Sequence, residues 1–179
     1  MSKIRAAVTA VEGYVPDYIL TNDELSRMVD TNDEWIMTRI GIKERRILKG
    51  EKGPSDMAEI VVKRILEKKN LSPDSIELVI CCTVTPDMVF PATANIIAHK
   101  CGIKNGFGFD VNAGCSGFLY GLTTASKYIE SGFVKRALVI GAEKMSAIVN
   151  YEDRATCPIF GDGAAGVLLE ATEEPYGLM

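Results

Sequence analysis

The residues best suited to chemistry lie in the segment Phe109-Asp-Val-Asn-Ala-Gly-Cys-Ser-Gly-Phe118. Its pattern predicts a strand that turns through small residues into a helix, with Cys115 at or near the first helical residue. A thiol there meets the positive end of the helix dipole and free backbone N–H groups, and both favour the nucleophilic thiolate. Cys115 is therefore the candidate nucleophile. The spacing alone equally allows a small, buried cysteine where a strand meets a helix.

The other cysteines are weaker candidates, because they fall inside a predicted strand, at a helix end or in a loop. In chain order they are Cys81, Cys82, Cys101 and Cys157. The odd total of five cysteines disfavours a disulfide scaffold. No pair has C-x-x-C spacing, so we expect no metal site.

A cysteine nucleophile normally needs a base, or a partner that polarises the carbonyl group under attack. His99 is the only histidine, and it lies on a different predicted helix, where nothing directs it at Cys115. An exposed or internally satisfied helix histidine is the simpler interpretation. The sequence therefore predicts either chemistry without a base or a site completed from outside this chain.

A second set of residues is suited to binding a flat anionic ligand. Thr31, Trp35 and Arg39 are spaced i, i+4 and i+8, which places them on one stripe of a short helix whose capping box begins at Thr31. An indole beside a guanidinium can enclose a heteroaromatic ring, and arginine can meet phosphate. A basic loop from Lys43 to Lys52 follows and could join this site. Alternatively, Trp35 belongs to the core and the charges form a solvated face.

A third, weaker motif is the turn Phe160-Gly-Asp-Gly163, which Arg154 precedes. The glycines on both sides of Asp162 permit positive φ and a close backbone approach before a buried strand. An ordinary hairpin has the same pattern, so the motif alone does not indicate a site.

The elements that must position these residues alternate between strands and helices. Strands are predicted over 4–11, 76–84, 107–111, 137–142 and 164–170, and longer helices over 56–69, 93–101 and 114–130. Two short capped helices are predicted to begin at Thr21 and Thr31. The order β, insertion, α, β, α, β, α, β, β predicts an α/β fold with a mixed, largely parallel five-stranded sheet. The two terminal strands can pair antiparallel.

Composition excludes several classes of protein. The 179 residues include 47% hydrophobic residues and carry a net charge of −4, which is typical of a globular domain and not of a disordered chain. The absence of a basic run disfavours nucleic acid as a partner. No stretch approaches the roughly 18 apolar residues of a membrane span. The first residues do not resemble a secretory signal, so we expect a cytoplasmic protein.

Several segments, in order along the chain, resemble the β-ketoacyl-acyl carrier protein synthase III family, the condensing enzymes that start bacterial fatty acid synthesis. The matching segments are 28–36, 38–41, 109–117, 131–135 and 160–164. The resemblance implies a thiolase-like fold of two similar β-α-β-α-β-α-β-β halves. Residues 1–179 would be the N-terminal half, with an insertion over about 14–53 that carries a coenzyme A mouth. The C-terminal half, with the family's catalytic His and Asn, is expected outside this sequence.

The resemblance also implies an activity and a set of roles. The family's homodimeric enzymes transfer an acyl group from acyl-coenzyme A to a cysteine, here Cys115, without a cofactor. They then condense it with malonyl-acyl carrier protein, release CO2 and form a 3-oxoacyl product. The coenzyme A mouth would be lined by Thr31, Trp35, Arg39 and Arg154, with Trp35 and Arg154 flanking the adenine. The acyl pocket would be shaped by Phe90, Met145 and Phe160, with Phe90 reaching the pocket of the partner subunit.

Two alternatives remain open at this point. The chain could be a dimerising, coenzyme A-binding module without activity of its own. It could also come from another thiolase-fold acyltransferase, such as a hydroxymethylglutaryl-coenzyme A synthase or a polyketide-type synthase. In either case a half of this fold would expose a broad apolar surface, which is typical of a protein that associates.

Overall fold

The structure, a computed structural model, describes residues 4–178. In chain order its elements are β1 (Arg5–Tyr14), β2 (Tyr18–Thr21), α1 (Asn22–Leu25), α2 (Asp33–Arg39), β3 (Glu44–Ile47), α3 (Pro54–Lys69), β4 (Leu78–Cys82), α4 (Thr93–Lys100), β5 (Phe107–Val111), α5 (Gly117–Glu130), β6 (Arg136–Lys144) and β7 (Asp162–Thr172). Short 3-10 turns lie at Pro73–Ser75, Gly114–Ser116 and Met145–Ala147. Within the described residues, no helix is both long enough and apolar enough to cross a membrane.

Five strands form one mixed sheet in the order β1-β7-β6-β4-β5. Strand β4 pairs in parallel with β5 and with β6, whereas β7 pairs antiparallel with β1 and with β6. The predicted α/β fold and its mixed five-stranded sheet are thereby confirmed. The two strands that sequence patterning missed, β2 and β3, form a separate antiparallel hairpin inside the insertion.

Alternating side chains of the central strands supply two cores, one on each face of the sheet. Along β6, Leu138 and Ile140 pack in a cluster with α3 and α4, whereas Ala137 and Val139 pack in a cluster with α5. This alternation follows from the two-residue period of a strand. Because both faces are covered there, β4 and the centre of β6, residues 137–142, are apolar throughout, as the sequence predicted.

The sheet topology gathers the chain's connections at one edge, which we call the carboxyl edge. The parallel strands β4, β5 and β6 all end there. Strand β7 begins at the same edge because Lys144 pairs with Asp162, and β1 ends there because Tyr14 pairs with Ala164. The insertion and the loops after β4, β5 and β6 therefore all leave from the edge where ligands bind in open α/β sheets.

The insertion corrects two sequence-based predictions. Helix α2 begins at Asp33 and is capped by Asn32, whose side chain accepts a hydrogen bond from the Trp35 N–H at 2.8 Å. Thr31 therefore lies before the helix and not on its stripe. The predicted cap was one residue early because asparagine caps a helix at least as well as threonine.

The predicted basic loop from Lys43 to Lys52 is also wrong in part, because β3 runs through it. Arg45 is only 4% exposed, and it donates hydrogen bonds to the Leu20 carbonyl at 3.1 Å and to Asn22 Oδ1 at 2.7 Å. Burial is the main cause that lowers the pKa of its guanidinium from the ordinary value. Arg45 thus stabilises the hairpin from inside and is not available to an anion at the surface.

Helix α5 packs closely on β4 because Gly121 has no side chain. A Cβ atom at Gly121 would lie 2.5 Å from the Cys82 Sγ, whereas one at Gly117, a turn earlier, would lie 3.6 Å from the nearest atom, Cys82 Cβ. We expect Gly121→Ala to lower the free energy of unfolding by about 1–2 kcal/mol, since overpacking outweighs the gain in helix propensity. The measurement is urea unfolding followed by circular dichroism.

Gly117→Ala is the matched control, because it adds the same methyl group to the same helix where space exists. We expect it to leave the free energy of unfolding unchanged or to raise it by up to about 1 kcal/mol. Equal stability of the two variants would contradict the close approach of α5 to β4.

Candidate active site

Cys115 lies in the 3-10 turn between β5 and α5, at the carboxyl edge, and its side chain is exposed. Gly114 opens this turn with φ of 53°, a conformation that favours glycine. The predicted strand–turn–helix geometry is therefore present, and a buried position is excluded for this cysteine. Its role as a nucleophile stays a prediction at this point.

The backbone N–H of Cys115 is available as a hydrogen-bond donor to a ligand. Helix α5 begins directly after the turn, at Gly117, with Ser116 as its N-cap. Among residues 4–178, no side chain accepts a hydrogen bond as a cap at this helix start. The Ser116 and Gly117 N–H groups already donate to the Ala113 and Gly114 carbonyls, whereas the Cys115 N–H has no hydrogen-bond partner among the described residues. The Cys115 N–H can therefore meet an anion or a developing oxyanion, and the helix dipole favours negative charge there.

The remaining cysteines differ from Cys115 because their side chains are buried. Desolvation raises the pKa of the Cys82 thiol to about 11, and it does the same for Cys101. The pKa values of the other two buried thiols are also raised, chiefly by desolvation; they belong to Cys81 and Cys157. At neutral pH these four groups are protonated thiols and poor nucleophiles. Cys115 is the one exposed cysteine among the five, all of which lie in the described part of the chain.

The three residues expected to shape an acyl pocket also lie at the carboxyl edge. Phe90 lies in the loop after β4 and is 86% exposed. Met145 begins the 3-10 turn after β6, and Phe160 comes two residues before β7; both are half-buried. The topology therefore brings these loops together around the turn that carries Cys115.

Trp35 and Arg154 are in direct contact, although they are far apart in the sequence. The guanidinium carbon of Arg154 lies 4.6 Å from the centroid of the indole ring, and its Nη1 lies 3.6 Å from Asp30 Oδ2. This contact joins α2 of the insertion to the connection between β6 and β7. A flat ring does not fit between the two groups at this distance, because stacked ring centroids are themselves about 4.5–7 Å apart. Arg154 must swing aside before the pair can flank an adenine.

The other two residues expected at the coenzyme A mouth are on or near the same helix. Arg39 is the last residue of α2 and is exposed. Thr31 lies before the helix, and its buried Oγ1 has no hydrogen-bond partner among residues 4–178. The structure thus keeps Trp35, Arg39 and Arg154 at one surface, with Thr31 at the base of the loop that leads to them.

Sequence analysis missed three carboxylates that organise the carboxyl edge. Asp110 accepts hydrogen bonds from the N–H groups that begin α4, Glu143 binds the loop after β4, and Asp162 accepts from the Leu48 and Ser146 N–H groups at 2.8 Å each. Each one adjoins or lies in an apolar strand. A charge in that setting is costly without partners, and this is the signal that could have revealed them.

His99 lies exposed near the C-terminal end of α4. The simpler interpretation, a histidine on a helix surface, agrees with this position.

Comparison with known proteins extends these observations. The 3-oxoacyl-[acyl-carrier-protein (ACP)] synthase III family matches residues 109–179. A beta-ketoacyl-[acyl-carrier-protein] synthase III of Phocaeicola vulgatus is 59% identical over the whole of this chain and 54% of its own length. The crystal structure of 3-oxoacyl-[acyl-carrier-protein] synthase III from Aquifex aeolicus VF5 has 46% identity and a TM-score of 0.91, covering 94% of this chain and 55% of the other.

A second solved structure shows how far the similarity reaches. The priming beta-ketosynthase from the R1128 polyketide pathway is 34% identical with a TM-score of 0.91, and the match covers 95% of this chain and 51% of the other. The chain spans about half the length of the relatives that it matches. These findings confirm the resemblance to synthase III and the thiolase-like half-fold. They leave the roles of individual site residues as predictions.

The contact between Trp35 and Arg154 can be measured because Trp35 is the only tryptophan. We expect Arg154→Ala to increase acrylamide quenching of the Trp35 fluorescence, since the guanidinium no longer covers one face of the indole. The loss of the cation–π contact should cost about 0.5–1 kcal/mol of stability. Arg27→Ala, which removes another exposed arginine, should leave quenching at the parent value. Equal quenching in all three proteins would contradict the contact.

Proposed function

We propose that this chain, which is similar to β-ketoacyl-[acyl-carrier-protein] synthase III enzymes over about half of their length, is the cysteine-bearing N-terminal half of such an enzyme. The whole protein would transfer an acyl group from acyl-coenzyme A to Cys115 and condense it with malonyl-acyl carrier protein. This reaction starts fatty acid synthesis. The observation that carries the proposal is the exposed Cys115 at the carboxyl edge of a chain with this similarity.

The first half-reaction is a thioester exchange at Cys115. Its sulfur attacks the acyl carbonyl carbon, the carbonyl oxygen takes up negative charge, and the bond to the sulfur of coenzyme A then breaks. The Cys115 N–H, which has no other partner among the described residues, would bind the oxyanion, and preorganised donors of this kind supply much of the rate enhancement in acyl transfer. The acyl group is then held on the protein as a thioester.

The second half-reaction makes the carbon–carbon bond. The malonyl carboxylate leaves as CO2, and the electron pair of the broken bond attacks the acyl carbon on Cys115, which leaves as a thiolate. Loss of CO2 leaves this electron pair as an enolate of the carrier-bound thioester. The family's His and Asn, which are expected in the C-terminal half, would stabilise that enolate. His99 is exposed on α4 and is assigned no part in either step. We therefore propose that this half by itself is inactive in condensation.

The coenzyme A mouth would be formed by the exposed end of α2 and the connection before β7. Trp35 and Arg154 would open to receive the adenine, Arg39 would meet phosphate, and Thr31 would support the loop beside them. The distance between this surface and the turn after β5 would be spanned by the pantetheine arm.

The acyl pocket would be closed in a homodimer. Phe90 would reach the partner subunit, since a phenyl ring that is 86% exposed at a loop tip gains from being covered. Met145 and Phe160 would form the wall contributed by the same chain.

No redox change occurs in these steps and the acyl groups arrive already activated as thioesters, so the proposed enzyme needs no cofactor. We propose that it acts in the cytoplasm.

A second candidate is a priming synthase of a polyketide pathway, because a protein of that description matches this chain with 34% identity. The acylation of Cys115 would be the same. The two candidates differ in the acyl group and in the carrier that accepts the product, so comparing acyl-coenzyme A substrates and carrier proteins separates them.

Acylation of Cys115 is testable by intact mass spectrometry of the full-length protein, or of this chain combined with its C-terminal half. After incubation with acetyl-coenzyme A, we expect one acetyl adduct in the parent and none in Cys115→Ala, because the nucleophile is gone. Cys101→Ala removes a buried cysteine and should retain the adduct. An undiminished adduct in Cys115→Ala would refute the assignment.

If this chain is half of a larger fold, helix α5 should have an exposed apolar surface that favours association. Leu119 is 62% exposed and Tyr120 is 58% exposed, beside a shallow cavity of about 420 Å³ on the same helix. We propose that the C-terminal half covers this surface. The isolated chain should therefore associate at micromolar concentration in sedimentation velocity, and Leu119→Lys should weaken association more than Val11→Lys on β1, where the valine is 56% exposed. A clean parental monomer would count against the half-fold proposal.

A further inference from the structure

The carboxylate of Glu143 binds the start of the loop that carries Phe90. We call residues 83–92, between β4 and α4, the Phe90 loop. The Val84 N–H donates to Glu143 Oε1 at 2.8 Å, and the Thr85 N–H donates to Oε2 at 3.1 Å. The hydroxyls of Thr83 and Thr85 also donate to Oε2. One side chain thus satisfies two backbone N–H groups and two hydroxyl groups.

The same contacts join the Phe90 loop to the segment that carries Met145. Glu143 is the second-last residue of β6, and Lys144 follows it directly before Met145. The Lys144 N–H donates to Thr85 Oγ1 at 2.9 Å, so this hydroxyl accepts from the end of β6 while it donates to Glu143. Beyond the β4–β6 ladder, which ends at the Cys82–Gly141 pair, these contacts hold the start of the Phe90 loop beside the Met145 turn.

The far part of the Phe90 loop is also attached to the fold. Asp87 accepts hydrogen bonds from the N–H and hydroxyl of Ser55, at 3.1 and 2.7 Å. Asp110 on β5 accepts from the Thr93 and Ala94 N–H groups at 2.7 and 2.8 Å, where α4 begins. Both ends of the Phe90 loop and its middle at Asp87 are thus hydrogen-bonded to neighbouring elements.

The tip of the Phe90 loop contrasts with these attached parts. Met88 is 51% exposed, Val89 is 100% exposed and Phe90 is 86% exposed. A loop that is hydrogen-bonded at both ends and carries an exposed apolar tip is suited to presenting a side chain such as Phe90 at a defined position.

We propose that Glu143 is a positioning residue that determines acyl-chain preference, because it sets the place of the Phe90 loop relative to the Met145 turn. This inference rests on the proposed function, in which Phe90 and Met145 shape the acyl pocket. Glu143 acts through both loops and does not touch the reacting atoms. Such indirect placement matters, since a shift of about 1 Å at a positioned group can change a rate about 100-fold.

The test uses the full-length protein with Glu143→Gln, which keeps the size of the side chain. An amide has one oxygen and one NH2 group, and the NH2 group cannot accept a hydrogen bond. In one orientation of the amide the Val84 N–H loses its acceptor and faces a donor. In the other orientation the Thr85 N–H and the Thr83 and Thr85 hydroxyls face a donor, and the Thr85 N–H keeps only the Thr83 hydroxyl as an acceptor. The measurement is kcat/KM with acetyl-, butyryl- and hexanoyl-coenzyme A.

We expect the ratio of kcat/KM between acetyl- and hexanoyl-coenzyme A to change by about tenfold or more, since each methylene in a pocket is worth about 10–200-fold. The midpoint for binding of coenzyme A, measured by calorimetry, should stay at the parental value, because the mouth is not altered. Glu67→Gln removes an exposed carboxylate from α3 and should change neither quantity.

A second variant guards against misfolding of Glu143→Gln. Thr85→Val keeps the shape of the side chain and both backbone N–H bonds to Glu143 but removes the bridging hydroxyl, so it should shift the same ratio in the same direction by a smaller factor. An unchanged ratio in both variants, or an equal loss of rate at every chain length, would overturn the proposal. If the parent itself transfers no acyl group to Cys115, the proposed function fails first and the inference falls with it.

Discussion

Backbone N–H groups that lose their partners where parallel strands end are the constraint around which the carboxyl edge is built. Strands β4, β5 and β6 end side by side, and the loops that leave them cannot continue the ladder. Three carboxylates bind such N–H groups and others beside them: Glu143 binds the loop after β4, Asp162 binds Ser146 after β6 and Leu48 after β3, and Asp110 binds the first residues of α4. Hydrogen bonds to a charged acceptor are roughly twice as strong as neutral ones. The loops at this edge are therefore attached through charged side chains and not through apolar packing alone.

The turn after β5 receives no such carboxylate within the described residues. The turn Gly114–Ser116 leads into α5 with no side-chain cap among the described residues, and Cys115 is exposed within it. The Ser116 and Gly117 N–H groups are paired with carbonyls of the turn, and the Cys115 N–H is the one without a partner among the described residues. A group that develops negative charge at Cys115 would find this donor unoccupied.

The positions of the regular elements could be predicted well from sequence, and the side-chain partners could not. Strand β5 has the predicted bounds because its apolar run is enclosed by turn residues, whereas β4 ends at Cys82, before the predicted Val84, since Thr83–Thr85 bind Glu143. The periodicity of hydrophobic residues in the sequence indicates which positions are buried, but it does not indicate such long-range hydrogen bonds.

The insertion shows the same limit. The hairpin β2–β3 was missed because it is only four residues per strand and depends on the buried Arg45, which sequence patterning assigns to the surface. The exposure of Cys115 could not be predicted either. Spacing placed it at the junction, but only the fold shows that the four other cysteines are enclosed and this one is not.

The contact between Trp35 and Arg154 poses a question of energy for the proposed coenzyme A mouth. It must open before a ring can enter, yet a cation–π contact at an exposed site is worth only about 0.5–1 kcal/mol. A ligand that binds with micromolar affinity gains about 8 kcal/mol in total. The free energy needed to break this contact is therefore small compared with the free energy of binding. The contact also covers one face of the indole and holds α2 beside the connection before β7. The two segments that would form the proposed mouth are thus already adjacent before a ligand binds.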